Sequence, residues 1–357
     1  MLAPVAMRAV EDDGTLPRYS QDELRRMTGD WRTKLGEGGF GAVYKGMLLL
    51  PHGGARGGGY GEGVGGGYGE GVGGGWGERD HEEEVQGGMG PGINDDLEVV
   101  QVGGKEFVPV AVKMCLTDNA EGGAREQLLT EVMMMTALHH PNILRLLGVA
   151  VMGQTLAMVS EFVPGGDVSQ RLKKARSDTE PFPWKDRLRI ARGSLEGLAA
   201  IHREGFIHRD FKSANVLLTK TLVPKVADFG LAKACQDKTH VTTRVAGSWG
   251  YMDPDYFERG ILSSHCDTYA FGVFLLELVT GRGVLDESFQ MKRRHLRNLA
   301  FADYAELFDK KLEGQWTEEQ AEVLVGMMRD AIQSDWAHRP TTDQLLVTWN
   351  EHLCLEE

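Results

Sequence analysis

Residues 207–218, IHRDFKSANVLL, bring several side chains suited to phosphoryl transfer into one short segment. Asp210 is placed to accept a proton from an incoming hydroxyl, and Asn215 can offer an amide oxygen to a divalent metal ion. Lys212 lies between them and adds a positive charge suited to the same chemistry. The apolar run Val216 to Leu218 anchors the segment to a core, so we expect the polar residues to lie on a loop held from behind.

A second polar segment, VADFGLAK, places Asp228 eighteen residues after Asp210, where its carboxylate can bind the same metal as Asn215. The HRD and DFG triplets, in this order and at this spacing, resemble the catalytic and metal-binding loops of eukaryotic protein kinases. The resemblance implies an α+β, bilobal fold, with a small five-stranded antiparallel N-lobe carrying one main helix and a larger, mostly helical C-lobe. It also implies ATP as the phosphoryl donor and Mg²⁺ as the metal, with Mn²⁺ as an alternative.

A glycine-rich segment near the N-terminus has the pattern G-x-G-x-x-G-x-V. Glycines let the backbone come close to phosphate oxygens and adopt positive φ where required. A dinucleotide-binding fold uses similar glycine spacing before a helix, but here AVYKGMLLL follows and has the pattern of a strand. Taken alone, the segment also fits a plain hairpin loop. The kinase resemblance implies a flap over the nucleotide, formed by Gly36, Gly38, Gly39, Phe40, Gly41 and Val43.

A lysine lies in the apolar, strand-like segment FVPVAVKMC, where Lys113 is costly unless an opposite charge meets it. Glu131 lies in the next helical pattern and offers that charge. An ordinary surface salt bridge would satisfy both residues, but the kinase resemblance implies that the Lys113–Glu131 pair holds the α- and β-phosphates. It further implies that Met135, one turn after Glu131, packs toward Phe229 and His208.

The strand pattern TLAMVSEFV ends at a Pro-Gly-Gly turn and is the expected hinge between the lobes. The resemblance places the adenine base against extended backbone from Glu161 to Val163. Ser160 would line the back of that pocket, and its small side chain predicts a deeper pocket than a bulky aromatic residue would leave. Ala111 and Leu217 complete the nucleotide-binding residues that the resemblance implies.

The segment after the DFG triplet is rich in hydroxyl groups, at Thr239, Thr242, Thr243 and Ser248. Arg209, next to the catalytic Asp210, is a cation that can receive a phosphate on this segment. We therefore expect regulation by phosphorylation of the segment, with Thr243 the best single candidate. Ser248 is expected to help orient the acceptor hydroxyl.

In detail the chain resembles the plant receptor-like and Pelle/interleukin-receptor-associated kinase group, over roughly residues 31–350 apart from one insertion. The resemblance rests on LGEGGFGAVYKG, HRDFKSANVLL, THVTTRVAGSWGYMDPDY and CDTYAFGVFLLELVTGR. Lys212 is the serine/threonine form of the loop, where it would stabilise the group in transfer. One departure is Pro254-Asp255 where the group has Pro-Glu, so a looser pairing of Asp255 with Arg339 is predicted.

Two functions remain open at this point. One is an active kinase that transfers the γ-phosphoryl group of ATP to protein Ser and Thr hydroxyls. The other is a catalytically weak, kinase-shaped scaffold that acts by binding nucleotide or partners. The joint presence of Lys113, Asp210 and Asp228 favours the enzyme, because a scaffold would be free to vary all three.

The chain divides into three predicted parts: an N-terminal extension (1–30) with one or two helical turns, an N-lobe (31–163) and a C-lobe (164–357). An insertion at about 51–105 interrupts the N-lobe. Half of the positions from 53 to 92 are glycine, so this segment cannot bury enough apolar surface to offset its ordering entropy. We predict a disordered linker there, which the hairpin tolerates because loop-closure cost grows only logarithmically with length.

Composition limits the partners. The net charge of −13 argues against nucleic acid or an anionic membrane as the main partner. The four cysteines are scattered without metal-site or disulfide spacing, which fits a reducing compartment. The sequence carries no apolar run long enough to insert directly into a membrane. We therefore expect a cytoplasmic protein that acts on protein substrates, with an upstream receptor or kinase as a further partner and with peripheral membrane attachment only through a partner.

Overall fold

The computed structural model describes residues 16–38, 41–50, 97–116, 123–152, 155–235, 240–243, 245–284 and 307–353. The strands in chain order are β1 (Lys34–Gly38), β2 (Gly41–Leu49), β3 (Val100–Val102), β4 (Lys105–Leu116), β5 (Leu146–Met152), β6 (Thr155–Glu161), β7 (Phe206–Ile207), β8 (Val216–Leu218), β9 (Pro224–Val226), β10 (Lys233–Ala234), β11 (Val241–Thr242) and β12 (Ile261–Leu262). The helices are α1 (Gln21–Thr28), α2 (Gly123–Ala137), α3 (Val168–Arg176), α4 (Trp184–Arg203), α5 (Pro254–Arg259), α6 (Ser264–Thr280), α7 (Glu318–Ala331) and α8 (Thr342–His352). The expected bilobal α+β fold is confirmed.

The N-lobe is an antiparallel sheet with strand order β1-β2-β4-β6-β5, to which β3 adds by pairing with β4. The sheet thus has six strands where five were predicted, and the predicted end of the insertion at about residue 105 is wrong. Val100–Val102 already form β3, and Gly103 and Gly104 form its turn to β4 with φ of 58° and 81°. Paired positive φ values are what a two-residue hairpin requires, so these glycines belong to the folded lobe. The predicted linker at 51–96 lies outside the described residues.

The described part of the N-terminal extension, residues 16–30, is part of this lobe. Helix α1 begins with a capping box at Ser20 and buries Leu24 and Met27 against the sheet. Just before it, the backbone N–H of Tyr19 donates to the carbonyl of Val149 in β5 at 2.9 Å. The ring of Tyr19 lies so close to Gly148 that a Cβ there would meet it at 2.4 Å. The segment before β1 therefore covers one edge and one face of the sheet.

The C-lobe is built around two long helices with different burial. Helix α4 is amphipathic and buries one face, whereas α6 is buried along almost its whole length from Cys266 to Thr280. A helix that is apolar all round belongs in the middle of a core, and α6 packs against both α4 and α7. The short hairpin β8–β9 lies on α4 and holds the two polar loops at the surface facing the N-lobe. No described helix is long and apolar enough to cross a membrane.

Candidate active site

The lysine and glutamate predicted to pair do so across the N-lobe. Lys113 projects from β4, and its Nζ lies 3.0 and 2.8 Å from the two carboxylate oxygens of Glu131 on α2. The same nitrogen lies 3.5 Å from Oδ1 of Asp228, which belongs to the C-lobe. One ammonium group is thus shared by a buried carboxylate and a carboxylate at the mouth of the cleft.

Burial controls the electrostatics of this pair. Burial raises the pKa of Glu131 and the nearby charge of Asp228 adds to the increase, while the charge of Lys113 opposes it. Asp228 is 37% exposed, whereas Glu131 is only 6% exposed. The ammonium group is therefore fixed from behind by Glu131 and faces the open cleft beside Asp228.

The catalytic segment forms a compact hydrogen-bonded group on the C-lobe. Lys212 donates from Nζ to Oδ2 of Asp210 and to Oγ of Ser248, both at 2.7 Å. Asn215 donates from Nδ2 to the main-chain oxygen of Asp210 at 2.9 Å and to its Oδ2 at 3.3 Å. With its amide nitrogen engaged in this way, Asn215 has its amide oxygen left for a metal ion.

The second carboxylate oxygen of Asp210, Oδ1, lacks the contacts that Oδ2 makes with Lys212 and Asn215. Asp210 Oδ1 is buried and has no hydrogen-bond partner among the described residues. A buried acceptor without a partner costs free energy, and such atoms in native structures mark strained or catalytic groups. This oxygen is therefore free to accept the proton of a hydroxyl that enters the cleft.

The backbone of the catalytic loop is held by a carboxylate beneath it. Asp267 at the start of α6 accepts from the backbone N–H groups of His208 and Arg209 at 2.7 and 2.8 Å, and from the ring of His202 at 2.9 Å. Burial acts to raise the pKa of Asp267, but the hydrogen bond and the charge of His202 outweigh it, so the pKa is lowered. An ionised carboxylate thus holds Arg209 at φ 70°, a conformation that costs about 1–3 kcal/mol in a non-glycine residue.

The metal-facing loop is also strained and packed from behind. Asp228 adopts φ 66°, and the next residue, Phe229, is fully buried. The Phe229 ring contacts the ring of His208 with centroids 5.2 Å apart, and Met135 is buried in the same core cluster. The residues predicted to pack together therefore share one core, and their packing fixes the direction of the Asp228 side chain.

A cavity of about 560 Å³ lies between the lobes and joins these groups. Most of the residues predicted to bind nucleotide line it, namely Gly36, Gly41, Val43, Ala111, Lys113, Glu161, Val163 and Leu217, together with Glu131, Asn215 and Asp228. Asp210 and Lys212 are not among its lining residues and reach it through Asn215. Gly38 ends β1 but is not in the lining, and Gly39 and Phe40 lie outside the described residues.

The hinge side of the cavity contains one feature that the sequence did not predict. Ser160 lines the cavity as expected, with its Oγ 3.4 Å from the carbonyl oxygen of Ala111. The carboxylate of Glu161, however, pairs with Lys225 at 2.9 Å and accepts from the backbone N–H of Arg145, with the side chains of Glu161 and Lys225 both buried. The side chain of Glu161 thus joins the hinge to β9, and because its backbone N–H donates to the carbonyl of Arg145, only its backbone carbonyl is left for a ligand.

Several lining residues were missed by the sequence analysis. Leu35 and Leu144 add apolar surface, Met158 adds depth behind the hinge, and Asp167 and Gln170 add polar groups at the rim. Leu35 directly precedes the first glycine of the flap, so its position in the motif was an available signal. Met158 and Gln170 lie on a strand and a helix, and Leu144 and Asp167 lie just before β5 and α3, where the local pattern does not distinguish a cavity wall from ordinary core.

The segment after the DFG triplet places its described hydroxyls next to cations. Lys233 in β10 donates to Oγ1 of Thr243 at 3.0 Å. Arg209 donates from Nε to the phenol oxygen of Tyr256 at 2.7 Å. The best predicted phosphorylation site thus lies against Lys233. Thr239 and the side chain of Thr242 lie outside the described residues.

The predicted partner of Arg339 is wrong. Arg339 donates from Nη2 to Oδ1 of Asp253 at 2.6 Å, and both side chains are buried. Asp255 instead lies 3.4 Å from Arg259 and accepts from the backbone N–H of Trp336. The carboxylate of Asp255 is one methylene shorter than that of glutamate, and Asp253, two residues earlier, presents its own carboxylate to the guanidinium. The anchor is kept, but a different residue supplies it.

The donor set fits a nucleotide-bound Mg²⁺ better than a metal held by protein alone. The described residues contain no cluster of three or more His, Cys, Asp or Glu side chains arranged to hold a metal. Asn215 and Asp228 supply one amide and one carboxylate, both in the lining of the cavity. Mg²⁺ is usually held in this way, by one or two carboxylates together with substrate phosphates and water.

Comparison with known proteins agrees with this geometry. The family model of the protein kinase domain matches residues 98–349. A probable serine/threonine-protein kinase of Arabidopsis thaliana, PBL18, is 33% identical over 94% of this chain and 76% of its own length. EPD1-interacting receptor-like cytoplasmic serine/threonine-protein kinases of Gossypium barbadense (5D) and Nicotiana benthamiana are 37% and 35% identical, over 71% and 73% of this chain.

The extent of these matches adds two facts. The chain spans 57% and 58% of the length of the Gossypium and Nicotiana relatives, so each has a sizeable part without a counterpart here. The family match begins at residue 98, after the glycine flap. In the structure β2 nevertheless pairs directly with β4, from Ala42 opposite Met114 to Leu49 opposite Phe107, and β1 pairs with β2. The flap therefore belongs to the same lobe as the matched region.

Proposed function

This chain belongs to the protein kinase family, and from that premise we propose that it is an active serine/threonine kinase, which transfers the γ-phosphoryl group of ATP to hydroxyls of protein substrates. The observation that carries the proposal is the buried, partnerless Oδ1 of Asp210 beside Lys212 and Asn215. A general base needs an acceptor atom that no neighbouring group has engaged, and this oxygen has no partner among the described residues.

Each residue then has one task in the reaction. Lys113, fixed by Glu131, binds the α- and β-phosphates, and Asp228 with Asn215 holds Mg²⁺, or Mn²⁺ in its place. A metal ion held there would neutralise charge on the phosphates. Asp210 orients the acceptor hydroxyl and takes its proton at Oδ1, because its Oδ2 is engaged by Lys212.

The flap and the hinge hold the nucleotide in place. Residues 36–43 cover the phosphates, with Gly36, Gly41 and Val43 already in the cavity wall. Ala111 and Leu217 enclose the adenine base, and the backbone from Glu161 to Val163 supplies its hydrogen bonds. Much of the rate enhancement in phosphoryl transfer comes from such positioning of reactants.

Serine/threonine preference rests on Lys212 and Ser248. The ammonium of Lys212 lies between Asp210 and Ser248, where it stabilises the phosphoryl group in transfer while Ser248 orients the acceptor. The names of the relatives describe serine/threonine kinases, two of them cytoplasmic and receptor-like. We extend that specificity, a cytoplasmic location and an upstream receptor or kinase partner to this chain as part of the proposal.

Phosphate transfer from radiolabelled ATP by the purified chain tests the proposal, with Asp210→Asn as the matched variant. Removal of a general base lowers turnover by about 10²–10⁴-fold, and the wild-type rate should exceed that of the variant by this factor. ATP-dependent thermal stabilisation should persist in the variant, because Asp210 is not in the nucleotide lining. Equal phosphate incorporation by the two proteins would leave only the scaffold function.

Phosphorylation of Thr243 is the regulatory part of the proposal. Its hydroxyl already accepts from Lys233, so a phosphate there would gain a charge-assisted hydrogen bond to β10. Mass spectrometry after incubation with Mg-ATP identifies the modified residues. Thr243→Ala should lower the activity that the enzyme reaches after incubation with Mg-ATP. Thr219→Ala is the control, because Thr219 contacts the hydroxyl of Thr221 in an exposed turn outside this segment. An unmodified Thr243 in a fully active enzyme would exclude this regulation.

A further inference from the structure

A second cavity, of about 600 Å³, lies behind the hinge. It shares residues 161–164 with the cavity that contains Lys113, so the hinge separates the two. The rest of its wall is largely apolar and includes Leu97, Val108, Pro109, Pro141 and Val223. Cavities of about 300–1,000 Å³ with apolar walls are the usual sites for ligands. We call this space the back cavity.

The charged side chains in this wall are already paired with one another. Glu161 pairs with the buried Lys225 at 2.9 Å, and the more exposed Glu98 and Lys220 pair with each other. An occupant of the back cavity is therefore recognised by its apolar surface rather than by its charge. A large, flat side chain suits such a space, because an aromatic residue buries about 150–250 Å² of surface.

One segment of this chain begins and ends beside the back cavity. It is the glycine-rich segment, residues 51–96, which lies between the described residues Leu50 and Leu97. Leu97 lines the back cavity itself. Leu50 is buried in the core cluster that contains Val108, another wall residue, and its backbone N–H donates to the carbonyl of Glu106 at 2.8 Å. Both ends of the segment are therefore anchored next to the back cavity.

The glycine-rich segment carries a large aromatic side chain at regular intervals. The octapeptide YGEGVGGG occurs twice, at 60–67 and 68–75, and WGER follows it. Its Tyr and Trp residues, Tyr60, Tyr68 and Trp76, are thus eight residues apart. The segment has too few apolar residues to form a core of its own, so these rings can leave water only against the folded lobes. The glycines beside them have no side chain to clash with the wall.

Each ring can reach the back cavity from an anchored end. Tyr60 lies ten residues after Leu50, and Trp76 lies 21 residues before Leu97. A glycine-rich linker spans a root-mean-square distance of about 5–6 Å times the square root of its length, which is about 16–27 Å for these two separations. Short flexible linkers give effective concentrations in the millimolar range. A tethered ring also avoids most of the translational entropy that a separate ligand loses on binding.

We propose that the back cavity binds an aromatic side chain of the chain's own glycine-rich segment, with Trp76 as the main occupant and Tyr68 and Tyr60 as weaker alternates. Trp76 ranks first because its ring has the largest apolar area of the three. The three rings compete for the same wall. The inference depends on the fold and on the repeat, not on phosphate transfer, so loss of the proposed kinase function would leave it standing.

Chymotrypsin cleavage of the full chain tests the proposal, because this protease cuts after Trp and Tyr. A docked ring is protected, and the cleavage rate follows the fraction of molecules in which the ring is free. Millimolar tethering docks about one half to nine tenths of the molecules when the affinity of one ring is millimolar to submillimolar. Cleavage after Trp76, identified by mass spectrometry, should therefore be about two to ten times slower than in Val223→Glu, which places a charge in the apolar wall.

Val347→Glu is the matched control for Val223→Glu. Val347 is 56% exposed on α8 and is not in the wall of the back cavity, so this variant should be cleaved like the wild type. Urea unfolding followed by circular dichroism checks that Val223→Glu is folded.

Trp76→Gly provides a second test that alters no residue of the described lobes. If the rings compete for one cavity, loss of Trp76 leaves the cavity to Tyr68, and cleavage after Tyr68 should become about twofold slower than in the wild type. A change confined to the site of substitution would leave the rate at Tyr68 unchanged. This test decides the question even if Val223→Glu does not fold.

Three outcomes would overturn the proposal. The first is equal cleavage after Trp76 in the wild type and in folded Val223→Glu, and the second is an unchanged rate at Tyr68 in Trp76→Gly. The third is protection that disappears on dilution, because the occupant would then be the glycine-rich segment of a second copy. Protection that is independent of protein concentration and is lost in Val223→Glu but not in Val347→Glu supports docking within one chain.

Discussion

Two ion pairs in this molecule have similar geometry and opposite surroundings. Lys113 and Glu131 lie 2.8 Å apart at the wall of a cavity, with the lysine side chain 20% exposed. Arg339 and Asp253 lie 2.6 Å apart with 0% and 1% exposure. The lysine of the first pair also faces Asp228 and the open cleft, so it can bind a ligand without leaving its partner. The second pair is closed on all sides, and its contribution is to stability alone.

The comparison predicts the largest loss of stability at Arg339. Arg339→Met leaves the carboxylate of Asp253 buried without its cation and should lower the free energy of unfolding by about 3–5 kcal/mol. Arg339 also donates from Nε to the carbonyl oxygen of Gln333 at 2.6 Å, and this bond is lost as well. Urea unfolding followed by circular dichroism measures the change.

Arg203→Met provides the control for Arg339. Arg203 pairs with Asp343, and both side chains are more than half exposed. Exposed ion pairs contribute about 0–1 kcal/mol, so this variant should unfold close to the wild type. If Arg339→Met and Arg203→Met lowered the free energy of unfolding by the same small amount, burial would not explain the difference between the two ion pairs.

A third buried carboxylate, Glu277, sharpens the comparison because its contacts are hydroxyl and backbone N–H groups rather than a cation. It accepts from Tyr251 at 2.5 Å and also interacts with Ser213 and the backbone of Val284, while the charge of Arg176 acts from further away. Burial, as the main cause, raises the pKa of Glu277 from 4.5 to about 7. Between about pH 4.5 and 7, Glu277 is therefore protonated in the folded protein and ionised in the unfolded chain.

This difference fixes the sign of the pH dependence. Because the folded state holds the proton more tightly, the stabilising effect of protonation is present near pH 5 and is lost as the pH rises to 7. Relative to Glu277→Gln, the wild type should lose about 3 kcal/mol of unfolding free energy between pH 5 and 8. Urea unfolding of both proteins at the two pH values measures this. A difference between the two proteins that stays constant with pH would show that Glu277 keeps an ordinary pKa.

The pair at the cavity wall, Lys113 and Glu131, predicts the opposite balance of effects. Lys113→Met should lower kcat/KM for ATP by about 100-fold, which equals about 2.7 kcal/mol of transition-state stabilisation. Its unfolding free energy should change by about 1 kcal/mol or less, because Glu131, whose pKa is already raised, can take up a proton instead. Lys220→Met is the control and should keep full activity, because Lys220 is exposed, pairs with Glu98 and does not line the cavity that contains Lys113. If Lys113→Met lowered the free energy of unfolding as much as Arg339→Met, the two pairs would not differ in their contribution to stability.

The sequence gives the most specific prediction of the site in the segments where several constraints coincide. The HRD and DFG motifs predict that Asp210, Asn215 and Asp228 lie near one another. The structure places Asn215 and Asp228 in the lining of one cleft, and Asp210 accepts a hydrogen bond from Asn215. The hairpin turn at Gly103 and Gly104 was missed because two more glycines after a glycine-rich stretch look like its continuation. Local pattern did not distinguish a turn from a linker, and only the pairing of β3 with β4 does so.

The sequence failed at Arg339 for a different reason. Its partner depends on which of two nearby carboxylates reaches a buried guanidinium, and one methylene decides the outcome. The motif named Asp255 because the equivalent glutamate would reach, and it could not weigh the carboxylate of Asp253 two residues earlier. Which carboxylate pairs with Arg339 therefore depends on side-chain length and position in the folded protein, which the sequence motif does not specify.

Exchange of the two anchors tests this explanation. Asp253→Ala alone should destabilise the protein by several kcal/mol, because Arg339 then stays buried without its carboxylate. Adding Asp255→Glu should recover about 1–2 kcal/mol of that loss, since the longer side chain can reach the guanidinium. Asp255→Glu in the wild type should change stability by about 1 kcal/mol or less, because the partly exposed pair with Arg259 contributes little. If Asp255→Glu raises the unfolding free energy only when Asp253 is replaced by Ala, residues 253 and 255 compete for one arginine. If Asp255→Glu has the same effect with and without Asp253→Ala, the two residues act independently.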